Sequence, residues 1–93
     1  MIISFRDRDT EDLARGRAVR RFARIAAVAR RKLLQLQIAG SLGDLRVPPG
    51  NRLEALRGDR EGQHSIRVND QYRCCVRWTS AGPEDVEIVD YHY

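Results

Sequence analysis

Two short stretches of alternating apolar residues, joined by a three-residue turn, constrain the fold of this chain more than any other feature. The apolar residues before the turn are Ile66 and Val68, and those after it are Tyr72, Cys74, Val76 and Trp78. Successive side chains of a strand point to opposite faces of a sheet, so both sets must face one core. A loop formed by Asn69-Asp70-Gln71 satisfies this condition, because it pairs Val68 with Tyr72, whereas a two-residue loop would mix the faces.

The same register places Arg67 directly opposite Arg73 on the other face of the sheet, with Arg77 further along that face. Like charges that face each other across two strands destabilise a sheet by roughly a few tenths of a kcal/mol or more. Two alternatives can relieve this repulsion. Either an anion binds between the guanidinium groups, or a nearby acid, such as Glu87 or Asp85 on the last strand, neutralises them.

The rest of the chain alternates between helical and extended patterns. The longest helical pattern is an apolar face with steps of four and three residues, formed by Phe22, Ala26, Ala29, Leu33 and Leu36. The predicted elements are a strand over 2–5, a helix over 10–15, a helix over 17–39, a loop over 42–50, a short strand near 53–56, strands over 64–68 and 72–79, a turn over 81–83, and a last strand over 86–89. This order predicts an α+β fold, in which an N-terminal strand and helices precede an antiparallel sheet.

The length of 93 residues fits one domain, residues 1–93, without room for a second core. No apolar run approaches the ~20 residues of a membrane-spanning helix, and the N-terminal residues lack a secretory signal pattern. Cys74 and Cys75 would point to opposite faces of a strand, which disfavours a disulfide or a metal site there. We therefore expect a cytoplasmic protein that does not associate with a membrane.

The charge is positive and comes almost entirely from arginine. The chain has 17 Lys+Arg against 13 Asp+Glu, a formal net charge of +4, and Lys32 is the single lysine. Arginine grips phosphate with two parallel hydrogen bonds and stacks on bases, so a polyanion is one partner that fits. Codon bias in a GC-rich genome and an acidic protein partner are the alternatives.

The ending Asp90-Tyr91-His92-Tyr93 brings together a carboxylate, two phenols and an imidazole. Such groups can transfer protons, stack on bases and hydrogen-bond a phosphate. The sequence contains no P-loop, zinc-protease or α/β-hydrolase motif. Cleavage of RNA by its own 2′-hydroxyl needs only a base, an acid and cations that stabilise the phosphorane, so we expect no metal and no cofactor.

Several segments resemble the HigB-type toxins of the RelE/ParE superfamily. They are Arg52-Leu53-Glu54-Ala55-Leu56-Arg57-Gly58-Asp59-Arg60-Glu61-Gly62, Ser65-Ile66-Arg67-Val68, Tyr72-Arg73 and Val89-Asp90-Tyr91-His92. The resemblance implies a compact α+β domain like that of microbial RNases. It implies a type II toxin that cleaves mRNA in the ribosomal A site and stops translation. The implied partners are the ribosome with its mRNA and a helix-turn-helix antitoxin of the HigA type, through which the complex would bind operator DNA.

The resemblance also implies roles for individual residues. Arg57 and Arg73 would bind or stabilise the phosphate, and Asp90, Tyr91 and His92 would orient the nucleotide, stack on it and shuttle protons. Further contacts with RNA are expected from Arg67, Arg77 and Lys32.

The sequence departs from the family at Glu54, where many HigB-type toxins have a functional histidine. A carboxylate can accept a proton, but it brings negative charge next to a phosphate. Either Glu54 is the base, or His92 or Tyr91 carries more of the catalysis, or the activity is weakened. Two other functions remain open: a non-catalytic inhibitor that binds the ribosome or RNA, and a gyrase poison like the ParE branch of the superfamily.

Overall fold

The computed structural model describes residues 1–91 and shows two helices packed against one face of a four-stranded antiparallel sheet. The helices are α1 (Arg8–Ala14) and α2 (Ala26–Ile38), and the strands are β1 (Glu54–Ala55), β2 (His64–Arg67), β3 (Tyr72–Thr79) and β4 (Gly82–Asp90). The strands follow one another in the order β1-β2-β3-β4. The predicted α+β class is therefore confirmed.

Helix α1 starts two residues earlier than predicted because Asp7 caps it. The Asp7 carboxylate accepts hydrogen bonds from the Thr10 backbone N–H at 3.0 Å and from the Thr10 hydroxyl at 2.6 Å. Thr10 is fully buried, and its Oγ1 also accepts a hydrogen bond from the Ile88 N–H of β4 at 3.0 Å. Thr10 thus joins the start of α1 to the sheet.

The predicted helix over 17–39 is wrong in its first third. Residues 20–22 form a short 3₁₀ turn, and the α-helix begins only after Ile25, whose φ of −109° and ψ of 2° are not helical. The Phe22 ring is buried edge-on against Tyr72, with ring centroids 6.0 Å apart. The spacing of apolar residues is the same for a broken and a continuous helix, so the pattern did not locate the break.

The first predicted strand is only a single bridge. Phe5 pairs in parallel with Val86 of β4, and the Ile3 N–H donates to the Pro83 carbonyl at 2.7 Å. Residues 2–5 therefore lie along the edge of β4 but do not form the regular strand that was predicted. Among the described residues, no helix is long and apolar enough to cross a membrane.

The hairpin between β2 and β3 has the predicted register. Ile66 lies opposite Cys74, and Arg67 lies opposite Arg73. The turn lacks a glycine and is stabilised instead by hydrogen bonds to the Asn69 side chain. Its Oδ1 accepts hydrogen bonds from the N–H groups of Gln71 and Tyr72 at 2.8 and 2.7 Å, which closes the turn.

The hairpin between β3 and β4 is longer than predicted and contains a β-bulge. The turn lies at residues 80–81 rather than 81–83, and Pro83 already pairs with Trp78. The register shifts between Cys75 and Arg77, where Asp85 adopts a left-handed φ of 54°. A bulge of this kind adds a residue to one strand and bends it.

Candidate active site

A small cavity of about 200 Å³ lies on the face of the sheet opposite the helices. It is named here the cationic cavity, and its lining residues are Arg52, Glu54, Arg67, Asn69, Asp70, Arg73 and Tyr91. These residues come from β1 and the residues before it, from the β2–β3 hairpin, and from the residue that follows β4. The cavity thus brings together four of the residues predicted from the sequence: Glu54, Arg67, Arg73 and Tyr91.

Arg73 forms the buried wall of the cationic cavity and is only 6% exposed. Its Nε donates to the Ser65 hydroxyl at 2.7 Å, and its Nη2 donates to the carbonyl of Arg52 at 2.6 Å. Among residues 1–91, no acceptor is hydrogen-bonded to the remaining nitrogen, Nη1. Burial of a guanidinium is costly unless its donors are used, so these hydrogen bonds fix the position of its charge.

The carboxylate of Glu54 lies beside this guanidinium, with 3.5 Å between Glu54 Oε1 and Arg73 Nε. Glu54 pairs with Ser65 in the register of β1 and β2, which puts both side chains on the face that holds Arg73. The Glu54 side chain is 37% exposed, so the carboxylate faces both the buried arginine and the open cavity. The Glu54 carboxylate is therefore placed where it could accept a proton from a ligand bound in the cationic cavity.

Arg67 forms the open rim of the cationic cavity and pairs with Asp70, three residues along the chain. The Asp70 side chain is 99% exposed, so water competes freely for this ion pair. The alternative of a nearby acid is confirmed in kind, because Glu54 lies beside Arg73 and Asp70 beside Arg67, but the acids named from the sequence, Glu87 and Asp85, are the wrong ones. The carboxylate of Glu87 instead lies 3.1 Å from Arg60.

Lys32 lies on α2 and does not line the cationic cavity. Its Nζ donates to Asn51 Oδ1 at 2.5 Å, and Asn51 is fully buried, with its amide group donating to the side chain of Gln35 and to the Leu45 carbonyl. Partial burial lowers the pKa of the Lys32 ammonium group below its ordinary value, and the charges of Arg31 and Arg67 lower it further.

Two of the predicted phosphate-binding residues do not line the cationic cavity. Arg57 is exposed and starts the 3₁₀ turn Gly58–Arg60. Arg77 lies beyond the bulge of β4, with its guanidinium over Gly62, where a Cβ would meet Nη1 at 2.7 Å. Neither residue is brought into the cavity by the fold.

The three residues of the Asp90-Tyr91-His92 ending separate in the structure. Asp90 lies opposite Tyr72, on the face away from Arg73, and its carboxylate accepts a hydrogen bond from the Gln71 side chain at 2.9 Å. Tyr91 lies on the Arg73 face and lines the cavity. Its N–H donates to the Gln71 carbonyl at 3.0 Å, which extends the pairing past the end of β4. His92 lies outside the described residues.

Four polar residues of the site were not assigned a role from the sequence: Arg52, Ser65, Asn69 and Asp70. Arg52 adopts a left-handed conformation with φ 46°, which is uncommon for a residue with a Cβ, and this turns its carbonyl toward Arg73. Ser65 is fully buried in β2. Its position directly opposite Glu54 was the one available signal, but the two-residue strand β1 was too short to fix that register in advance.

Within residues 1–91, no group of three or more His, Cys, Asp or Glu side chains is arranged to hold a metal ion. Cys74 and Cys75 are both buried and free. Burial raises the pKa of the Cys75 thiol to about 11 and that of Cys74 further. Both side chains act as small apolar groups.

Comparison with known proteins identifies the family. Residues 5–92 match the family described as RelE-like toxin of type II toxin-antitoxin system HigB. The chain belongs to this family of HigB-like toxins. Toxin HigB-1 of Vibrio cholerae serotype O1 is 54% identical over 48 residues, which are 52% of this chain and 50% of that protein. The aligned segment thus spans about half the length of this relative. The family resemblance predicted from the sequence is confirmed, and a HigB-like toxin is the toxin component of a type II system.

Proposed function

We propose that this HigB-like toxin is an endoribonuclease that cleaves mRNA on translating ribosomes in the cytoplasm and thereby stops growth. The observation that carries the proposal is the meeting of three arginines with two acidic residues and a tyrosine in one cavity. Arg52, Arg67 and Arg73 outnumber the acids Glu54 and Asp70, so the cationic cavity favours an anion. A single RNA phosphate is an anion of suitable size and charge for this opening.

The chemistry of cleavage can be assigned to residues of this cavity and to His92, the residue that follows Tyr91 in the sequence. The 2′-oxygen attacks the neighbouring phosphorus while Glu54 takes the proton of the 2′-hydroxyl. Arg73 and Arg67 stabilise the extra negative charge of the phosphorane. The bond from phosphorus to the 5′-oxygen then breaks, and that oxygen receives a proton from Tyr91 or His92. The products are a 2′,3′-cyclic phosphate and a 5′-hydroxyl end.

The two arginines have different functions in this mechanism. Arg73 is held in place by Ser65 and the Arg52 carbonyl, so its charge is oriented before the substrate arrives. Such preorganisation is what makes a charge effective in a transition state. Arg67 exchanges its exposed partner Asp70 for the phosphate when RNA binds. Arg57, Arg77 and Lys32 extend the positive surface along the RNA backbone, and Asp90 supports the end of β4 through Gln71.

The partners follow from the family and the proposed substrate. The ribosome presents the mRNA, and a helix-turn-helix antitoxin of the HigA type neutralises the toxin. Operator DNA is bound only through the complex with the antitoxin. We expect co-expression of the antitoxin to restore growth.

The experiment that tests this function compares two arginine variants with the wild type. Arg67→Gln removes a cavity charge that pairs across three residues, whereas Arg8→Gln removes an exposed arginine of α1 that pairs with Asp12 across four residues. The wild type and Arg8→Gln are expected to stop growth and to leave internal 5′ ends in translated mRNA, as mapped by primer extension. Arg67→Gln is expected to do neither. Growth arrest by Arg67→Gln equal to that of the wild type would exclude this cavity as the site.

A second candidate function is a non-catalytic inhibitor that binds the ribosome or RNA through the same arginines. The position of Glu54 favours it, because a carboxylate in the cationic cavity brings negative charge next to the bound phosphate, and it stands where many HigB-type toxins have a functional histidine. Growth arrest with intact mRNA in the primer-extension experiment would support this function and exclude cleavage.

A further inference from the structure

A second and larger cavity adjoins the cationic cavity. It has a volume of about 530 Å³, within the range of roughly 300–1,000 Å³ that is typical of small-molecule sites. It is named here the leucine-lined cavity, and its wall includes Leu42, Gly43, Arg46, Leu53, Glu54 and His64. The two cavities lie on the two sides of the edge strand β1, because His64 alternates with Ser65 and so points to the helix face, whereas Glu54 and Arg73 share the other face. Glu54 lines both cavities, and β1 is only two residues long. An RNA strand that passes around this short edge can therefore hold its phosphate in the cationic cavity and its neighbouring nucleoside in the leucine-lined cavity.

The walls of this cavity combine apolar and cationic groups. Leu42 and Leu53 are half-buried and supply apolar surface. Arg46 is exposed and forms no ion pair with any of residues 1–91. The nearest acid in sequence, Asp44, is engaged elsewhere, because its Oδ2 accepts hydrogen bonds from the N–H groups of Gly40 and Ser41 at 2.9 and 3.2 Å. An apolar wall with an unpaired cation at its edge suits an unstacked base attached to a charged backbone.

His64 adds a polar group that the structure leaves unexplained. Its Nδ1 is buried and has no hydrogen-bond partner among residues 1–91. An enclosed nitrogen with no partner is uncommon in native proteins and calls for a reason. Because Nδ1 is enclosed, the ring meets the cavity through its other atoms, of which Nε2 is the only polar one. A flat ring with one polar atom at the wall can both stack on a base and form a hydrogen bond with its edge.

We infer that the leucine-lined cavity binds the nucleobase next to the RNA phosphate held in the cationic cavity, with Leu42, Leu53 and His64 contacting the base and Arg46 contacting its backbone. This inference rests on the proposed function, because it assumes that RNA is the substrate. It makes the cavity a specificity-determining site, since its walls decide which base next to the phosphate is accepted.

The test fills the cavity without changing a charged or catalytic group. A Cβ built at Gly43 meets only Ser41 Oγ, at 3.8 Å, and Gly43 has no left-handed φ, so Gly43→Leu adds a side chain beside the cavity without backbone strain. Gly50→Leu is the matched control, because Gly50 also lies in a 3₁₀ turn, has open space around it and does not line the cavity. The probes are a 2′-O-methylated RNA trinucleotide, which cannot cleave itself, the same trinucleotide lacking its bases, and inorganic phosphate. Binding is followed by nitrogen-15 NMR on the full chain.

With the wild type, the trinucleotide is expected to shift the resonances of residues 42–46 and His64, while phosphate and the abasic trinucleotide shift only those around the cationic cavity. Gly43→Leu is expected to weaken trinucleotide binding at least fivefold and to leave phosphate binding unchanged, and Gly50→Leu is expected to behave as the wild type. The inference is overturned if the trinucleotide does not bind, if its shifts are confined to the cationic cavity, or if Gly43→Leu binds it as tightly as the wild type. A trinucleotide that binds as expected, with no mRNA cleavage in cells, would contradict the endoribonuclease and leave the base site in place.

Discussion

Two arginines that face each other across β2 and β3 show how different the two ends of the cationic cavity are. Arg73 is 6% exposed and donates hydrogen bonds to Ser65 and the Arg52 carbonyl. Arg67 is partly exposed and pairs with Asp70, which water surrounds. The same residue type in paired positions thus supplies a fixed charge at the buried end and an exchangeable charge at the open end. A cavity that must be rigid and still admit a ligand needs both.

The largest effect is expected from removing the charge at the buried end. Arg73→Met leaves Ser65 and the Arg52 carbonyl without their donor and Glu54 without its ion pair. We expect it to lower the free energy of unfolding by roughly 2–4 kcal/mol. Arg67→Gln is expected to change it by less than about 0.5 kcal/mol. Urea unfolding followed by the fluorescence of Trp78 measures both values, and equal losses would show that the two ends do not differ.

The second effect concerns the thiol of Cys75, which lies two residues from Arg73 on the same face of β3. Burial raises the pKa of Cys75 to about 11, which lies above the ordinary value of 9.0, so its thiolate fraction at pH 8 is lowered by roughly two orders of magnitude. We expect alkylation of the native protein at pH 8 to be at least about 100-fold slower than that of the urea-unfolded chain. The rate should rise as the pH approaches 11. Rapid labelling of both cysteines at pH 8 would mean that the buried end opens readily.

A smaller effect is expected from Ser65→Ala, which removes only the acceptor of Arg73 Nε. A hydrogen bond to a charged group contributes roughly 1.5–3 kcal/mol, so we expect a loss near 1.5 kcal/mol in urea unfolding. Ser80→Ala, in the exposed turn between β3 and β4, is the control and should change stability by less than about 0.5 kcal/mol. If Ser65→Ala is as stable as the wild type, the Ser65 hydroxyl does not help to hold Arg73 in place.

The smallest effect is expected at the open end. Asp70→Asn removes the carboxylate that competes with phosphate for Arg67. We expect it to raise the affinity for a 2′-O-methylated RNA trinucleotide by roughly two- to fivefold at low salt, with the gain shrinking as salt is added. The control is Asp59→Asn, an exposed acid that does not line the cavity. An unchanged or lower affinity for Asp70→Asn would contradict the exchange of partners at Arg67.

The sequence predicted the parts of the fold that depend on strict alternation. The hairpin register follows from period-two patterning, and it correctly placed Arg67 opposite Arg73. It did not predict which acids lie beside them, because that depends on the bulge at Asp85 and on the short strand β1. The break before α2 was missed because the contact between Phe22 and Tyr72 is tertiary and leaves the helical spacing intact.

The site was predicted in its residue types more than in its geometry. The family resemblance selected Glu54, Arg73 and Tyr91, which do meet in one cavity. It gave no means of separating Asp90 from Tyr91, although alternation along β4 puts their side chains on opposite faces. The hydrogen bonds of Arg73 to Ser65 and to the Arg52 carbonyl could not be predicted either. Every residue has a backbone carbonyl, and the sequence does not show where that carbonyl points.

The central claim is that the exchangeable guanidinium of Arg67 and the fixed one of Arg73 hold a phosphate that is then cleaved. Its most direct test is the rate of cleavage of ribosome-bound mRNA by purified protein in a single turnover, with the ends of the products identified. The account predicts 5′-hydroxyl ends with the wild type and a rate at least about 100-fold lower for Arg67→Gln, whose stability is unchanged. Equal rates for the two proteins, or mRNA left intact by the wild type, would contradict it.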